Sequence, residues 1–214
     1  MSQFLRRLAW GIATVCALSA AGSLSGSAAD AAKPSYDCAA ASGNVEKLVC
    51  ADKELAQLDH KLAAVYASAL KQTKGQKQSL LVASQRGFLK GRNDCWKAQD
   101  VRDCAAFAYR DRIVELQATY GLVPARGPFT YSCDDQPATR ATATYFETDP
   151  PSARIDLNRP FAAIDQSGKG LIAKIERSAS GSKYVGQNFT FWLKGDQALL
   201  DRYGEPSANC TQKP

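Results

Sequence analysis

Two short stretches in the C-terminal half contain side chains that could bind a carboxyl group. They are residues 180–184 (Ser-Gly-Ser-Lys-Tyr) and 191–198 (Phe-Trp-Leu-Lys-Gly-Asp-Gln-Ala). Gly181 tolerates backbone angles that other residues avoid, so a thin exposed loop can form there. The Ser180 hydroxyl can donate or accept a hydrogen bond, and the Lys194 ammonium can make a charge-assisted contact with a carboxylate. The alternative is an ordinary flexible turn beside a solvated lysine.

Strand alternation decides which way these side chains face. Residues 189–194 alternate with period two, which places Lys194 on the face opposite Phe191 and Leu193. Lys194 can therefore reach a partner molecule. Tyr184 is a further candidate for contact with a partner, although packing is the alternative for Tyr184 and is the expected role of Trp192.

Groups typical of catalysis and metal binding are scarce. The chain has a single histidine, His60, on a polar stretch of a predicted helix, so a Ser–His or Cys–His nucleophile is not expected. No Cys-x-x-Cys pair occurs, which argues against a zinc site. Asp134 and Asp135 could suggest a metal, but two adjacent carboxylates without further ligands are more often a turn. We expect no enzymatic activity, no metal and no cofactor.

The N-terminus is typical of a secretory signal peptide. Arg6 and Arg7 precede an apolar stretch and a run of small residues that ends at Ala29. The pattern predicts a signal peptide over residues 1–29, a periplasmic or secreted protein, and no stable membrane insertion after cleavage. A membrane anchor is the alternative, but the apolar run is short for a span. Lipidation of Cys16 is a second alternative, although the bulky Val15 before it suits the processing of a lipid-attachment cysteine poorly.

The remaining six cysteines indicate a disulfide framework, as is usual in an exported chain. Six cysteines permit about 15 pairings. Four lie in one half of the chain and two in the other, so we expect pairing within each half. The proposed bonds are Cys38–Cys50, Cys95–Cys104 and Cys133–Cys210, with other pairings inside the first half left open.

A change of hydrophobic period divides the chain at residues 121–128, where two glycines and two prolines predict a linker. Before it, apolar residues recur at steps of three and four, which predicts helices. These are expected near 45–49, after the capping residue Asp52 until Gly75, around 80–89, and over 101–120. After the linker, alternation predicts several short strands, including 129–133, 153–157 and 189–194.

These patterns predict an α+β protein of two domains. A disulfide-stapled antiparallel helical module is expected over 35–120, and a small antiparallel β-barrel over 129–214. The chain carries 27 Lys and Arg against 21 Asp and Glu, a formal charge of +6. Because no dense basic run or aromatic-interleaved basic patch occurs, we expect no nucleic-acid partner.

The C-terminal half resembles the MliC-type inhibitors of c-type lysozyme. The resemblance rests on residues 180–184 and 191–198, flanked by Tyr131-Ser132-Cys133 and by Cys210. It covers roughly residues 129–210. Either motif alone is weak, but the order and spacing of the set are fairly specific.

The N-terminal half is similar to the LprI-type lysozyme inhibitors over roughly residues 35–116. The similarity rests on short motifs: Asp37-Cys38, Val45-Glu46-Lys47, Cys50-Ala51-Asp52, Glu54-Leu55, Gln85-Arg86-Gly87-Phe88-Leu89 and Arg92-Asn93. It carries less functional information than the resemblance in the other half.

Together, the resemblances imply a periplasmic protein that binds and blocks a c-type lysozyme. The family's two lysozyme-contacting residues correspond to Ser180 and Lys194, with Gly181 shaping the loop and Tyr184 as a further candidate. The loop would enter the lysozyme cleft and occlude its catalytic carboxylates. The alternatives are a non-inhibitory envelope-binding or structural protein and, less favoured, a cell-wall hydrolase. The sequence leaves the oligomeric state open.

Overall fold

A computed structural model describes residues 33–135, 139–158 and 170–214, so the predicted signal peptide lies outside the described residues. Within these ranges, four α-helices precede eight β-strands. The helices are α1 (Asn44–Ala51), α2 (Lys53–Gln72), α3 (Gly75–Asn93) and α4 (Val101–Thr119). The strands are β1 (Ala125–Cys133), β2 (Arg140–Phe146), β3 (Ser152–Asn158), β4 (Leu171–Glu176), β5 (Ser182–Gly186), β6 (Phe189–Lys194), β7 (Gln197–Arg202) and β8 (Ala208–Gln212).

Local capping signals fix where the helices begin. Asp52 caps α2 as predicted, because its carboxylate accepts a hydrogen bond of 3.0 Å from the backbone N–H of Leu55. Asp100 caps α4 in the same way through the N–H of Asp103, at 2.8 Å. The predicted break between the second and third helices falls at Gly75, which has a positive φ and begins α3.

A polar cluster lies inside the helical half beside its apolar core. The Tyr109 hydroxyl donates to Asp59 at 2.8 Å and accepts from Arg92 at 2.5 Å. The backbone N–H and hydroxyl of Ser35 both donate to Asp59, at 2.6 Å. These bonds connect α2, α3 and α4 and hold the segment that precedes α1. Buried polar groups are tolerated because they satisfy one another.

The three predicted disulfides are confirmed. Two staple the helical half and the third lies in the barrel. The bonds are Cys38–Cys50, Cys95–Cys104 and Cys133–Cys210, with sequence separations of 12, 9 and 77 residues. The pairing that the sequence left open in the first half therefore joins neighbouring cysteines.

The eight strands form a closed antiparallel barrel in which each strand pairs with the next and β1 pairs with β8. Closure gives each of the eight described strands two neighbours, so none of them is an edge strand of an open sheet. Alternate side chains fill the interior, including Tyr131, Ile155, Phe191 and Leu200, all at most 1% exposed. The α+β fold class is confirmed. β1 already begins at Ala125, within the stretch expected as linker.

The helical half packs against the barrel through α4, which contacts β3 and β4. The Lys174 ammonium forms an ion pair with Asp111 and lies 4.9 Å from the centre of the Phe107 ring. Residues 31–214 accordingly form one compact unit. Among the described residues, none of the helices combines the length and apolar character needed to cross a bilayer.

The polar cluster predicts a stability effect. Replacing Tyr109 with Phe should lower the free energy of unfolding by about 1–3 kcal/mol, because Asp59 and Arg92 each lose a buried hydrogen bond. Urea denaturation followed by circular dichroism measures this. Tyr203→Phe is the matched control, since Tyr203 is 88% exposed and should change little. Equal effects of the two variants would contradict a stabilising role for the cluster.

Candidate functional site

The candidate residues lie at one end of the barrel, here called the rim. Because neighbouring strands are antiparallel, alternate connections reach the same end. The rim comprises the β2–β3 connection (147–151), the β4–β5 connection (177–181) and the β6–β7 turn (195–196). The β4–β5 connection, which contains Ser180 and Gly181, is called the Ser180 loop below.

Two side-chain donors, the Ser178 hydroxyl and the Trp192 indole N–H, bond to backbone carbonyls and shape the Ser180 loop. The Ser178 hydroxyl lies 3.1 Å from the carbonyl oxygen of Ser180 and 3.0 Å from that of Gly181. From the neighbouring strand β6, the Trp192 indole N–H donates to the Ser180 carbonyl at 2.8 Å. The Ser180 side chain remains exposed, and its hydroxyl has no hydrogen-bond partner among the described residues. The loop is thus held by its backbone while this hydroxyl stays available.

Gly181 is required by the path of the chain. Its φ is +69°, a region that favours glycine. A Cβ atom at this position would overlap the carbonyl oxygen of Leu193, which is a backbone atom and cannot easily move aside. The loop can therefore run this close to β6 only with glycine at position 181, in agreement with the loop-shaping role predicted from the sequence.

Lys194 ends β6 immediately beside the Ser180 loop. Its ammonium lies 4.0 Å from the centre of the Trp192 ring, a cation–π contact. No carboxylate pairs with Lys194 within the described parts of the chain. As predicted from alternation, Trp192 and Lys194 occupy the face opposite the buried Phe191. One indole ring thus brings the loop and the lysine together.

Tyr184 does not join this exposed group. It is 8% exposed and packs inside the barrel, with its ring centre 5.3 Å from that of Tyr145. The hydroxyls of Tyr131 and Tyr145 are 3.1 Å apart, and that of Tyr131 also donates to Gln212. Burial raises the pKa of all three tyrosines above the ordinary value, so they are uncharged at neutral pH. The position of Tyr184 supports a packing role.

The other groups considered from the sequence have structural roles or lie on the surface. Asp135 accepts hydrogen bonds from the backbone N–H and the hydroxyl of Thr139 at the opposite end of the barrel, and it forms a buried ion pair with Arg202. Asp134 accepts from Asn209, and His60 is exposed. Among the residues that the structure describes, no group of three His, Cys, Asp or Glu side chains could hold a metal ion.

Sequence reasoning missed the part played by Trp192 and Ser178. Trp192 was expected to have a packing role. Its indole N–H instead donates a hydrogen bond to the loop, and its ring contacts the Lys194 ammonium. A signal was present, because residues two apart on a strand share a face and Trp192 precedes Lys194 by two. Nothing in the sequence pattern pointed to Ser178, whose contacts depend on the shape of the loop.

This arrangement is a disulfide-stapled helical module followed by a closed barrel with a polar, glycine-dependent loop at its rim. Comparison with known families confirms the resemblance of both halves. Residues 131–208 match the family described as membrane-bound lysozyme inhibitor of c-type lysozyme, MliC. Residues 38–116 match the family described as lysozyme inhibitor LprI. Both families are described as inhibitors, which supports lysozyme inhibition and agrees with a non-catalytic protein.

Individual relatives align with most of this chain. The chain is 29% identical over 170 residues to proteins named lipoprotein LprI from Mycobacterium bovis and Mycobacterium tuberculosis. The aligned region covers 79% of this chain and 80% of each relative. The similarity therefore extends over both the helical half and the barrel.

Two rim glycines provide a matched test of the loop geometry. Gly181→Ala should lower stability by about 1–2 kcal/mol from its positive φ alone, and by more because the new Cβ overlaps Leu193. Gly195 also has a positive φ, +62°, but no atom lies within 4 Å of its Cβ position. Gly195→Ala should therefore show only the smaller effect. Thermal unfolding measures both, and equal losses would contradict the tight contact at Gly181.

Proposed function

We propose that this protein inhibits a c-type lysozyme by inserting the Ser180 loop into the active-site cleft of the enzyme. The observation that carries the proposal is that the Ser180 hydroxyl and the Lys194 ammonium lie beside one side chain, Trp192, which bonds the Ser180 carbonyl and contacts the ammonium with its ring. Among the described residues, the hydroxyl has no hydrogen-bond partner and the ammonium has no ion pair. This group lies in the half of the chain that matches inhibitors of c-type lysozyme.

The chemistry of the target suits this pair. A retaining lysozyme uses two carboxyl groups in a cleft, one a protonated acid and one ionised. The Ser180 hydroxyl can accept from the first or donate to the second. The Lys194 ammonium adds a charge-assisted hydrogen bond to a carboxylate. Inhibition then needs no covalent step, because the loop excludes substrate and water from both carboxyl groups.

The construction of the loop supports tight binding. The hydrogen bonds from Ser178 and Trp192 hold the loop backbone before any partner arrives. A loop that is already ordered loses less conformational entropy on binding. The Trp192 ring likewise limits the positions open to the Lys194 side chain. Within the described parts of the chain, neither group has a hydrogen bond or ion pair that binding would have to break.

We further propose that the protein acts in the periplasm or after secretion. The signal peptide predicted over residues 1–29 supports this location, as do three disulfides, which persist in oxidising compartments. Relatives named lipoproteins are in keeping with an envelope protein. The division into domains at 35–120 and 129–214 remains part of the proposal, with the barrel carrying the inhibitory loop.

The proposal predicts that Ser180→Ala and Lys194→Ala each weaken inhibition while the protein stays folded. Loss of one charge-assisted contact should cost about 1.5–3 kcal/mol, or roughly 10- to 150-fold in affinity. The measurement is titration of a purified c-type lysozyme with each variant, using cell-wall lysis as the readout and circular dichroism to check folding.

Ser132→Ala and Lys61→Ala serve as matched controls, since both residues are exposed and neither belongs to the rim. They should inhibit as well as the unaltered protein. If both rim variants inhibited normally, the Ser180 loop would not be the inhibitory element. If the unaltered protein inhibited no c-type lysozyme, the proposed function itself would be wrong.

A further inference from the structure

A pocket of about 410 Å³ opens on the surface of the helical half, among α1, α2, α3 and the segment that precedes α1. Its volume lies within the range of roughly 300–1,000 Å³ that is usual for small-molecule sites. One part of its wall is aromatic and apolar, and consists of Tyr36, Leu62, Ala63, Tyr66 and Leu89. The pocket belongs to the half of the chain to which the proposed function gives no role.

The polar part of the wall brings together residues that are far apart along the chain. These residues are Glu46, Gln85, Arg92 and Asn93, and they come from three of the short motifs on which the similarity to LprI-type inhibitors rests. Asn93 donates a hydrogen bond of 3.3 Å to Glu46 across 47 positions. Three motifs of the helical half therefore converge on one pocket.

The two carboxylates of the pocket are already compensated by donors of the protein. Asp59 accepts three hydrogen bonds, two of them from Ser35. Glu46 also accepts three, one of them from Asn93. Little accepting capacity is left for a cationic ligand, and an anionic ligand would be repelled by both carboxylates. The pocket therefore suits an uncharged ligand.

Arg92 provides the clearest unused hydrogen-bonding capacity in the pocket. Its guanidinium carries five N–H donors, and three hydrogen bonds to Asn93 and Tyr109 use one donor each on Nε, Nη1 and Nη2. The carboxylate oxygens of Glu46 and Asp59 lie 3.9 and 3.8 Å from the Nη atoms, beyond hydrogen-bond range. One N–H on each Nη atom thus has no acceptor among the described residues.

These two donors point to a ligand that brings oxygen acceptors. Arg92 is only 3% exposed, and buried donors normally have acceptors. Gln85 adds further donors, because its amide oxygen accepts from Arg112 while its amide NH2 has no acceptor in the described parts of the chain. Uncharged hydroxyl and amide carbonyl oxygens are suitable acceptors for such groups.

The apolar wall indicates what should carry those oxygens. The half-buried rings of Tyr36 and Tyr66 offer flat surfaces against which the C–H faces of a sugar ring can pack. An acetamido group on the sugar supplies a carbonyl acceptor for the free N–H groups. Its methyl group can pack against Leu62 and Leu89.

We propose that this pocket binds a short neutral glycan that carries acetamido groups. Arg92 and Gln85 donate hydrogen bonds to its oxygens, and Tyr36 and Tyr66 pack against its rings. The helical half thereby gains a binding function of its own. The inference does not depend on the proposed function, because every residue that it uses lies outside the barrel.

The test is calorimetric titration of the full chain with N,N′,N″-triacetylchitotriose, in the absence of lysozyme. Ala63→Phe should fill part of the pocket from α2 and weaken binding by roughly 10-fold or more. Ala64→Phe is the matched control, because Ala64 is the next residue of the same helix, is exposed and does not line the pocket. It should bind as the unaltered protein does, and thermal unfolding checks that both variants fold.

A gentler pair of variants keeps the test decisive if Ala63→Phe fails to fold. Leu89 and Leu80 both lie on α3 and are 41% and 40% exposed, but only Leu89 lines the pocket. Leu89→Ala should weaken binding by roughly 5-fold through loss of apolar contact, and Leu80→Ala should not. No binding by the unaltered protein, or equal binding by folded Leu89→Ala and Leu80→Ala variants, would overturn the site.

Changing the ligand tests the chemistry of the site without altering the protein. The deacetylated trimer has the same rings but carries ammonium groups, and it should bind more weakly than the acetylated trimer. Equal or tighter binding of the deacetylated trimer would contradict a site for neutral glycans. Peptidoglycan fragments are titrated in parallel, and tighter binding of these fragments would identify the cell wall as the source of the glycan. None of these measurements involves the Ser180 loop, so their failure would leave the proposed inhibition of lysozyme untouched.

Discussion

The pairing of β5 with β6 in a single register is the constraint on which the candidate site depends. Ser182 lies opposite Leu193, and Tyr184 opposite Phe191. A shift by one residue would turn Lys194 into the barrel and Phe191 towards solvent, because side chains alternate between the two faces. Closure opposes such a shift, since every strand is paired on both edges and the Cys133–Cys210 bond joins β1 to β8.

In that register, Trp192 lies next to both the Ser180 loop and Lys194 and contacts each of them. Its indole N–H and its ring face act on different partners, the Ser180 carbonyl and the Lys194 ammonium. The hydrogen bond uses the Ser180 backbone rather than its side chain, and the cation–π contact leaves the donors of the ammonium free. The site can thus be ordered in advance without using up the groups that would bind a partner.

The sequence predicted best the features that depend on local patterns. The Asp52 cap and the break at Gly75 are readable from residue type, and the change of period at the linker is readable because helices and strands have different repeats. Pairing of the cysteines within each half was also expected, while the pairing inside the helical half stayed open until the structure showed it. Ser180, Gly181 and Lys194 were chosen as candidates through the family resemblance. Serine, glycine and lysine are common at turns of many proteins, so the residue types alone would not have indicated a site.

Other features depend on which distant segments meet, and no single-chain pattern encodes that. The contacts of Asp111 and Phe107 with Lys174 join residues more than 60 positions apart. The Asp59–Tyr109 bond spans 50 positions. The closure of the predicted barrel likewise depends on the pairing of β1 with β8, which lie far apart along the chain.

α4 takes part in long-range contacts both within the helical half and with the barrel, and it makes them through different faces. One face buries Tyr109 in the polar cluster with Asp59 and Arg92, while another presents Asp111 and Phe107 to the barrel. Residues on one helix keep fixed angular positions, so the hydrogen bonds of Tyr109 also set where Phe107 lies relative to the rim. A rotation of α4 would therefore disturb the buried cluster and the contacts with Lys174 together. The packing of the helical half is in this way coupled to its position against the barrel.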